Sequence, residues 1–314
     1  MNNILVIGAN GQLGSELVVA LRDKFDHENV LATDIREPEN NTEPFEILDV
    51  LDAAKLTNIV KQNNIKQIYH LAALLSANAE QHPQFAWDLN MNGLLNVLNI
   101  AKEDTSIRVY WPSSIGAFGH HTPKVNTPQN CVMDPNTVYG ISKLAGERWC
   151  DYYHEKYGVD VRSLRYPGLI GYKTLPGGGT TDYAVEIFHK AIQGEDYVCF
   201  LKQDAHLPMM YMTDAVNATI AIMDAPVERI KIRSSYNLSA MSFSPEEIYQ
   251  KIKAYYPDFS ISYNPDFRQD IADSWPQSID DTCAREDWGW QHTYELDELV
   301  EVMLRNLKEK LATI

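Results

Sequence analysis

A doubly wound, parallel α/β sheet is the fold this sequence predicts. Three observations carry that expectation: short apolar runs alternate with helix-length amphipathic stretches, a glycine-spaced turn joins the first run to the first helix, and the rhythm breaks after about Pro167. Runs buried on both faces need helices on both sides of the sheet, and right-handed crossovers then favour a doubly wound order. The strand-like runs are Ile4 to Ile7, Val30 to Thr33, Ile68 to Leu71, Val109 to Trp111 and Val159 to Leu164. A helix is expected from about Asn136 to Tyr157, entered through Pro135. Beyond Pro167 come a Pro-Gly-Gly-Gly run at 176–179 and several proline-marked turns, where a smaller substrate-facing part begins. Ser244-Pro245-Glu246-Glu247 has the spacing of a capped helix start, so regular structure resumes late.

The chain has 314 residues, a length that suits two sub-domains sharing an interface. Hydrophobic residues make up 45% and charged residues 22%, which fits a globular protein and excludes a disordered or collagen-like one. Forty-three acidic against 27 basic side chains leave a net charge of −16, a field that repels nucleic acid and anionic membrane. Cys131, Cys150, Cys199 and Cys283 are far apart with no Cys-x-x-Cys pair, so free thiols in a reducing cytoplasm are expected. The start of the chain reads as strand at once, leaving no export signal, and no apolar stretch is long enough to span a bilayer. The expected location is cytoplasmic, with no membrane or nucleic-acid partner.

The first run leads directly into Gly8-Ala9-Asn10-Gly11-Gln12-Leu13-Gly14 and then into Ser15 to Leu21 at helical apolar spacing. In that setting Gly8 permits a tight turn, Gly11 lets backbone approach a pyrophosphate, and Gly14 lets helix pack closely on strand. Asp34 follows Gly14 by twenty residues at the end of the second run. Its carboxylate suits the ribose hydroxyls of an adenosine and repels a 2′-phosphate, so NAD is expected rather than NADP. Arg36 nearby is either solvated or a partner for such a phosphate. Residues 1–167, with about 209–238, are therefore expected to form an NAD-binding Rossmann domain, and 168–208 with 239–314 a smaller substrate-binding part.

Tyr139 and Lys143 stand four residues apart on the expected helix and so share one face. An ammonium close to a phenol favours the phenolate, and such a pair can take a proton from an alcohol. Alone, this spacing also describes a solvated helix face. Ser114, in Trp111-Pro112-Ser113-Ser114-Ile115, emerges at the carboxyl end of the fourth run, where ligands of open α/β sheets bind. It is placed to hold a substrate hydroxyl.

With these pieces in hand, the chain resembles the extended short-chain dehydrogenases/reductases of the UDP-galactose 4-epimerase-like group. The resemblance rests on Gly8 to Gly14, His70-Leu71-Ala72-Ala73, Pro112-Ser113-Ser114, Tyr139 with Lys143, Arg165-Tyr166-Pro167-Gly168 and the segment from Asp280 to Trp290. It implies roles for further residues. Asn10, Gln12 and Leu13 join the glycines around the cofactor, Ile35 and Arg36 join Asp34, and Asp49 and Val50 serve the adenine end. Leu71, Ala72, Ala73 and Tyr166 line the cofactor, and Asn90 supports the structure around the site. Tyr139 is implied as acid/base, Lys143 as partner of the nicotinamide ribose and Ser114 as partner of the substrate oxygen. A homodimer through the helices at about 84–103 and 136–157 is implied as well.

Sugar-nucleotide enzymes of that group usually carry asparagine where this chain has Gly168. From Gly168 to Pro208 the basic side chains, histidines apart, are Lys173, Lys190 and Lys202, few for a diphosphate. The segment from Leu175 to Ala184, with Leu74-Leu75-Ser76 and the stretch from Pro112 to Gly119, instead resembles the short-chain type of L-threonine 3-dehydrogenase. That resemblance implies NAD-dependent oxidation of L-threonine at the β-hydroxyl to 2-amino-3-ketobutyrate, with Ser76, Thr180, Thr181 and Trp275 lining the pocket. The loop from Gly177 to Thr181 offers N–H groups and hydroxyls to a carboxylate. Asp182 is either part of that pocket or a plain helix-start carboxylate. An NAD-retaining sugar-nucleotide epimerase and a non-catalytic dinucleotide sensor are the alternatives. His120 and His121 lack a third ligand at helical spacing and read as a solvated loop rather than a metal site. His70 is expected to be a hydrogen-bonded core histidine, and Trp288 with Trp290 to pack the last sub-domain.

Overall fold

The structure, a computed structural model, describes residues 3–38, 43–177 and 179–312. The chain begins with β1 (Asn3–Ile7), α1 (Gln12–Lys24), β2 (Val30–Asp34), β3 (Phe45–Ile47), α2 (Ala53–Gln62) and β4 (Ile65–His70). It continues through α3 (Ser76–Gln81), α4 (Pro83–Trp87), α5 (Gly93–Glu103), β5 (Arg108–Ser114), α6 (Val138–Tyr157), β6 (Asp160–Tyr166) and β7 (Gly168–Ile170). Then come α7 (Tyr183–Gln193), β8 (Tyr197–Cys199), β9 (Leu207–Tyr211), α8 (Met212–Asp224), β10 (Tyr236–Asn237) and β11 (Met241–Phe243). The last elements are α9 (Pro245–Lys253), β12 (Ile261–Tyr263), α10 (Arg268–Ser274), α11 (Thr282–Trp288) and α12 (Leu296–Ala312).

Seven parallel strands form the central sheet in the order β10-β6-β5-β4-β1-β2-β3, the doubly wound arrangement the sequence predicts. One apolar layer, including Leu5, Ile7, Ile68, Val97 and Trp111, lies on one face of this sheet. On the other, Ile4, Val6, Leu17, Tyr110 and Ala218 join α1 and α8. A second sheet of β11, β9 and β7 and a pair of β12 with β8 belong to a third core built around Tyr183, Phe188, Phe243 and α12.

Several boundaries move for identifiable reasons. The fourth expected run extends to Ser114, so Ser113 and Ser114 are its last strand residues, paired with Arg165 and Tyr166 of β6. The expected 84–103 helix is interrupted: a π-helical turn over Asp88–Asn92 separates α4 from α5. Helix α6 starts at Val138 because the Thr137 hydroxyl accepts the Gly140 N–H. At α9 the Ser244 side chain and Glu247 form the reciprocal capping box that their spacing predicts.

The two tryptophans near the end pack on the core of the parallel sheet, Trp290 within it and Trp288 against it. Trp290 lies in the core beneath the parallel sheet with Ile4 and Val6, and its indole N–H donates to Asp281 at 2.9 Å. His70 departs from expectation. It is 1% exposed, and among the described residues neither ring nitrogen has a hydrogen-bond partner. Burial, followed by the charge of Lys143, pushes it down to about 3, so the ring is neutral.

Candidate active site

The turn after β1 is shaped by close backbone approach. Gly8 has φ +85°, and a Cβ on Gly14 would stand 2.2 Å from the Gly8 carbonyl oxygen. Gly8 and Ala9 both donate to the Thr33 carbonyl, at 2.9 and 3.0 Å, which locks the turn to the end of β2. Helix α1 then begins with no side chain capping its first turn and no acidic residue in it, so its N–H groups face an incoming anion unopposed. Asp34 lies beside this turn, its Oδ2 accepting the Asn10 N–H at 3.0 Å and its Oδ1 the Arg36 N–H at 3.4 Å. The Asn10 side chain donates to the Arg36 carbonyl at 2.8 Å. Ile35 and Arg36 are exposed. These residues fit a dinucleotide: a donor-rich helix end for the pyrophosphate and a carboxylate at the end of β2 for a ribose.

Further along the sheet edge, the Leu71 N–H donates to the Ile7 carbonyl at 2.8 Å, and Ala72 backbone abuts the position of a Gly8 Cβ. This places Leu71 to Ala73 directly beside the cradle. Asp49 is exposed, with its carboxylate accepting the Leu51 N–H, and Val50 is buried. Asn90 bridges elements: its amide exchanges hydrogen bonds with the Leu74 backbone and donates to the Ser142 hydroxyl at 3.2 Å. The Tyr166 side chain turns beneath the sheet, its hydroxyl bonded to those of Tyr110 and Thr219. That leaves the Tyr166 backbone, rather than its phenol, at the strand end.

Ser114, Tyr139 and Lys143 come together at the carboxyl ends of β5 and β6. The Ser114 hydroxyl accepts the Gly116 N–H at 3.1 Å, and both it and the Tyr139 ring crowd the position of a Gly116 Cβ. Gly116 is packed against that ring: a Cβ there would lie 3.1 Å from both Cδ1 and Cε1 of Tyr139. The Lys143 ammonium donates to the Pro112 carbonyl at 2.6 Å and lies 4.6 Å from the Trp111 ring centroid and 5.4 Å from that of Tyr139.

The electrostatics correct one expectation. Burial pushes the Tyr139 phenol up to about 12, with the nearby Ser114 hydroxyl working the other way. Lys143 is pushed down to about 7 by burial, against the opposing influence of Cys150 and Glu147. Burial, rather than the Lys143 charge, therefore sets the direction of the phenol's shift.

Glu147 continues the face of Tyr139 and Lys143 by one more step of four, and the sequence reading missed it. Fully buried, it accepts from the Ser113 hydroxyl at 2.7 Å and makes a two-pronged ion pair with Arg165 at 2.9 and 2.8 Å. Arg165 also donates to the Gln129 carbonyl and to Asn237 Oδ1, fastening β10 to the sheet edge. The repeat of four from Tyr139 was the signal that would have found Glu147.

The candidate substrate residues approach from three directions. Ser76 is buried at the start of α3, and Ala79 of that helix packs on Tyr139 with Ala86, Leu74 and Val138. Thr180 is buried just before α7, and Thr181 rests against Gly168, where a Cβ would stand 2.7 Å from Thr181 Cγ2 and 2.4 Å from Met209 Sδ. Asp182 closes the same turn by accepting the Gly179 N–H at 2.8 Å. Gly178, part of the expected loop, lies outside the described residues. Trp275, 6% exposed, shares one apolar cluster with Ile115 and Phe118 after Ser114 and with Tyr183 and Ala184 after Thr181. Lys173, Lys190 and Lys202 are paired with Glu16, Glu195 and Asp273. His121 pairs with Asp134, and the His120 ring with Asn136.

Comparison with known proteins adds to this geometry. A model of the NAD dependent epimerase/dehydratase family matches residues 4–239. An uncharacterized epimerase/dehydratase of Staphylococcus saprophyticus is 51% identical, over 99% of this chain and 98% of its own. Among solved structures, a partial consensus L-threonine 3-dehydrogenase is 55% identical with a TM-score of 0.96, covering 98% of this chain and 99% of its own. An L-threonine dehydrogenase from Cupriavidus necator, in its holo form, is 54% identical with a TM-score of 0.95, covering 97% and 99%. A monomeric L-threonine 3-dehydrogenase of metagenomic origin is 48% identical with a TM-score of 0.95, covering 98% and 99%.

Proposed function

We propose that this chain, which belongs to the NAD dependent epimerase/dehydratase family, oxidises L-threonine at its β-hydroxyl to 2-amino-3-ketobutyrate. The observation that carries this reading is the juxtaposition of Ser114, Tyr139 and Lys143 at the sheet's carboxyl end, in a chain about half identical to L-threonine dehydrogenases along nearly its whole length.

Gly8 to Gly14, the free first turn of α1 and Asp34 would hold NAD, with Leu71 to Ala73 alongside and Lys143 toward the nicotinamide ribose. When bound, NAD supplies the hydride acceptor. Ser114 fixes the substrate oxygen by a hydrogen bond, and Tyr139 takes the hydroxyl proton. Burial holds the phenol up at about 12, and the charge this chain offers to favour the phenolate is the Lys143 ammonium, 5.4 Å from the Tyr139 ring centroid. The threonine carboxylate meets the turn at Thr180 and Thr181, with Ser76 and Trp275 completing the pocket. We assign residues 1–167 with about 209–238 to the cofactor and 168–208 with 239–314 to the substrate, and place the enzyme in the cytoplasm.

An epimerase reading has less support. An asparagine at 168 would be driven into Met209 and Thr181, and the three lysines of the region are already paired with carboxylates. We also propose a homodimer: Phe85 and Trp87 on α4 and Ile141, Trp149 and Tyr152 on α6 expose large apolar side chains along the two segments expected to meet.

The deciding experiment follows absorbance at 340 nm with purified protein, NAD and a panel of L-threonine, L-serine and UDP-galactose. Reduction of NAD with threonine, weaker response to serine and silence with the sugar nucleotide are expected. Interconversion of UDP-sugars without threonine oxidation would replace this reading by the epimerase.

A further inference from the structure

Between Ser114 and the start of α6 the chain makes a long excursion that crosses to the segment carrying Trp275. Lys124 is the residue at which the two meet. Its ammonium donates to the Gly119 carbonyl at 2.9 Å and to the Ser274 carbonyl at 2.6 Å. Its own carbonyl accepts the N–H groups of Gln277 and Ser278 at 2.7 and 3.1 Å. One residue therefore grips the Trp275-Pro276 pair from both sides while its ammonium also reaches back to the loop that follows Ser114.

The chemistry at each end favours a positive charge. Ser274 is the last residue of α10, so its carbonyl belongs to the negative end of that helix. Gly119 is fixed in turn: its N–H donates to the Thr122 hydroxyl, and a Cβ on it would fall 2.0 Å from the Asp134 carbonyl oxygen. Beyond Lys124 the contact continues as a short bridge, with the Thr127 N–H donating to the Ser278 carbonyl and the Asp280 N–H to the Thr127 carbonyl, both at 3.0 Å. Those neighbouring bonds are backbone-only and indifferent to side-chain identity. Among the described residues, the Lys124 ammonium is the side-chain donor that links Gly119, in the loop after Ser114, to the Ser274 carbonyl at the end of α10.

We propose that Lys124 is a positioning residue, which holds the Trp275 wall of the substrate pocket in register with the loop following Ser114. This deepens the threonine dehydrogenase reading and rests on it for the identity of the substrate. A wall displaced by a fraction of an ångström weakens the grip on a small substrate while leaving the cofactor cradle, at the ends of β1 and β2, untouched.

Lys124→Met keeps the chain's length and removes the charge; Lys124→Arg keeps a cation. The expected result for Lys124→Met is a rise in KM for L-threonine of about tenfold with kcat changed much less. NAD affinity, by fluorescence titration, should stay at the wild-type value. Lys124→Arg should recover most of the loss. A second readout needs no substrate: amide exchange in peptides covering 115–119 and 272–279 should accelerate in Lys124→Met and in no other part of the sheet. Unchanged KM with unchanged exchange would overturn the proposal, as would a parallel loss of NAD affinity and thermal midpoint, the mark of a general structural defect. If wild-type protein left threonine untouched, the functional reading would fail by itself, and the local exchange result would still decide whether Lys124 holds the two segments together.

Discussion

The ammonium of Lys143 lies 2.6 Å from the carbonyl oxygen of Pro112, so the helix bearing Tyr139 is tied by its charged residue to the strand bearing Ser114. That ammonium is held at about 7 against an ordinary 10.5, burial being the main cause. Between those values the unfolded chain keeps a proton that the folded chain has shed, so stability from this group rises with pH across that window and the penalty is complete below about 7. Lys143→Met should therefore unfold at a higher temperature than wild type at pH 6, with the gain shrinking toward pH 10. Calorimetric scans across that range check it; a gain independent of pH would contradict the assignment.

A phenol raised to about 12 has little phenolate at neutral pH, and its basic fraction grows about tenfold per pH unit. Alcohol oxidation by wild-type protein should accelerate as pH rises through the neutral and alkaline range. Tyr139→Phe keeps the ring that packs on Gly116 and removes the titrating oxygen. Turnover should fall by roughly 10² to 10⁴ fold and lose that slope, with NAD binding retained. Near wild-type turnover in Tyr139→Phe would exclude the phenol as proton acceptor.

What the sequence made legible follows from where the constraints are local. The Gly8 to Gly14 turn could be read because its demands are backbone demands: a left-handed φ at Gly8 and no room for a Cβ at Gly14. The five expected strands could be read because apolar residues dominate Ile4 to Ile7, Val30 to Thr33, Ile68 to Leu71 and Val109 to Trp111 and recur among polar ones from Val159 to Leu164. Strand β10 was invisible, since Tyr236 and Asn237 are held at the sheet edge by Gln129 and Arg165 from distant parts of the chain. The break over Asp88–Asn92 leaves the helical apolar spacing nearly intact, so periodicity passes over it. Whether His70 found a partner, and whether burial or Lys143 set the state of Tyr139, depended on three-dimensional surroundings that no spacing encodes.

Glu147 and Arg165 form a fully buried ion pair, joined by Ser113 and Asn237. Removing one partner leaves the other charged in a dry interior, which typically costs about 3–5 kcal/mol. Glu147→Gln should lower the denaturant midpoint strongly, as should Arg165→Met. Because each single change carries the cost of the stranded partner, Glu147→Gln combined with Arg165→Met should cost clearly less than their sum. Additive losses in chemical denaturation would show that the pair is not coupled.

Asp34 accepts the Asn10 and Arg36 N–H groups at the end of β2, an arrangement that fixes a negative charge beside the cradle. A 2′-phosphate would meet that charge at close range, so NAD should bind more tightly than NADP. Asp34→Ala should narrow the difference without altering the thermal midpoint much, since the carboxylate is only half-buried. Fluorescence titrations of both cofactors decide this, and equal or tighter NADP binding by wild type would refute it.

Thr181 and Gly168 define the last prediction, because the methyl of one occupies the space a side chain on the other would need. Thr181→Ala removes a hydroxyl from the turn proposed to meet the substrate carboxylate and leaves part of that anion unpaired in a closed pocket. The loss should be on the order of 1–3 kcal/mol, or about tenfold to a hundredfold in kcat/KM for L-threonine, with NAD affinity preserved. Gly168→Ala should produce a similar loss by a different route, pushing Thr181 and Met209 aside while every hydroxyl remains. Since both changes act on the same side chain, the double variant should be little worse than either single one. Steady-state kinetics of the three proteins separate the outcomes: full additivity would place Gly168 and Thr181 in independent roles, and wild-type kcat/KM in Thr181→Ala would remove the turn from the substrate site altogether.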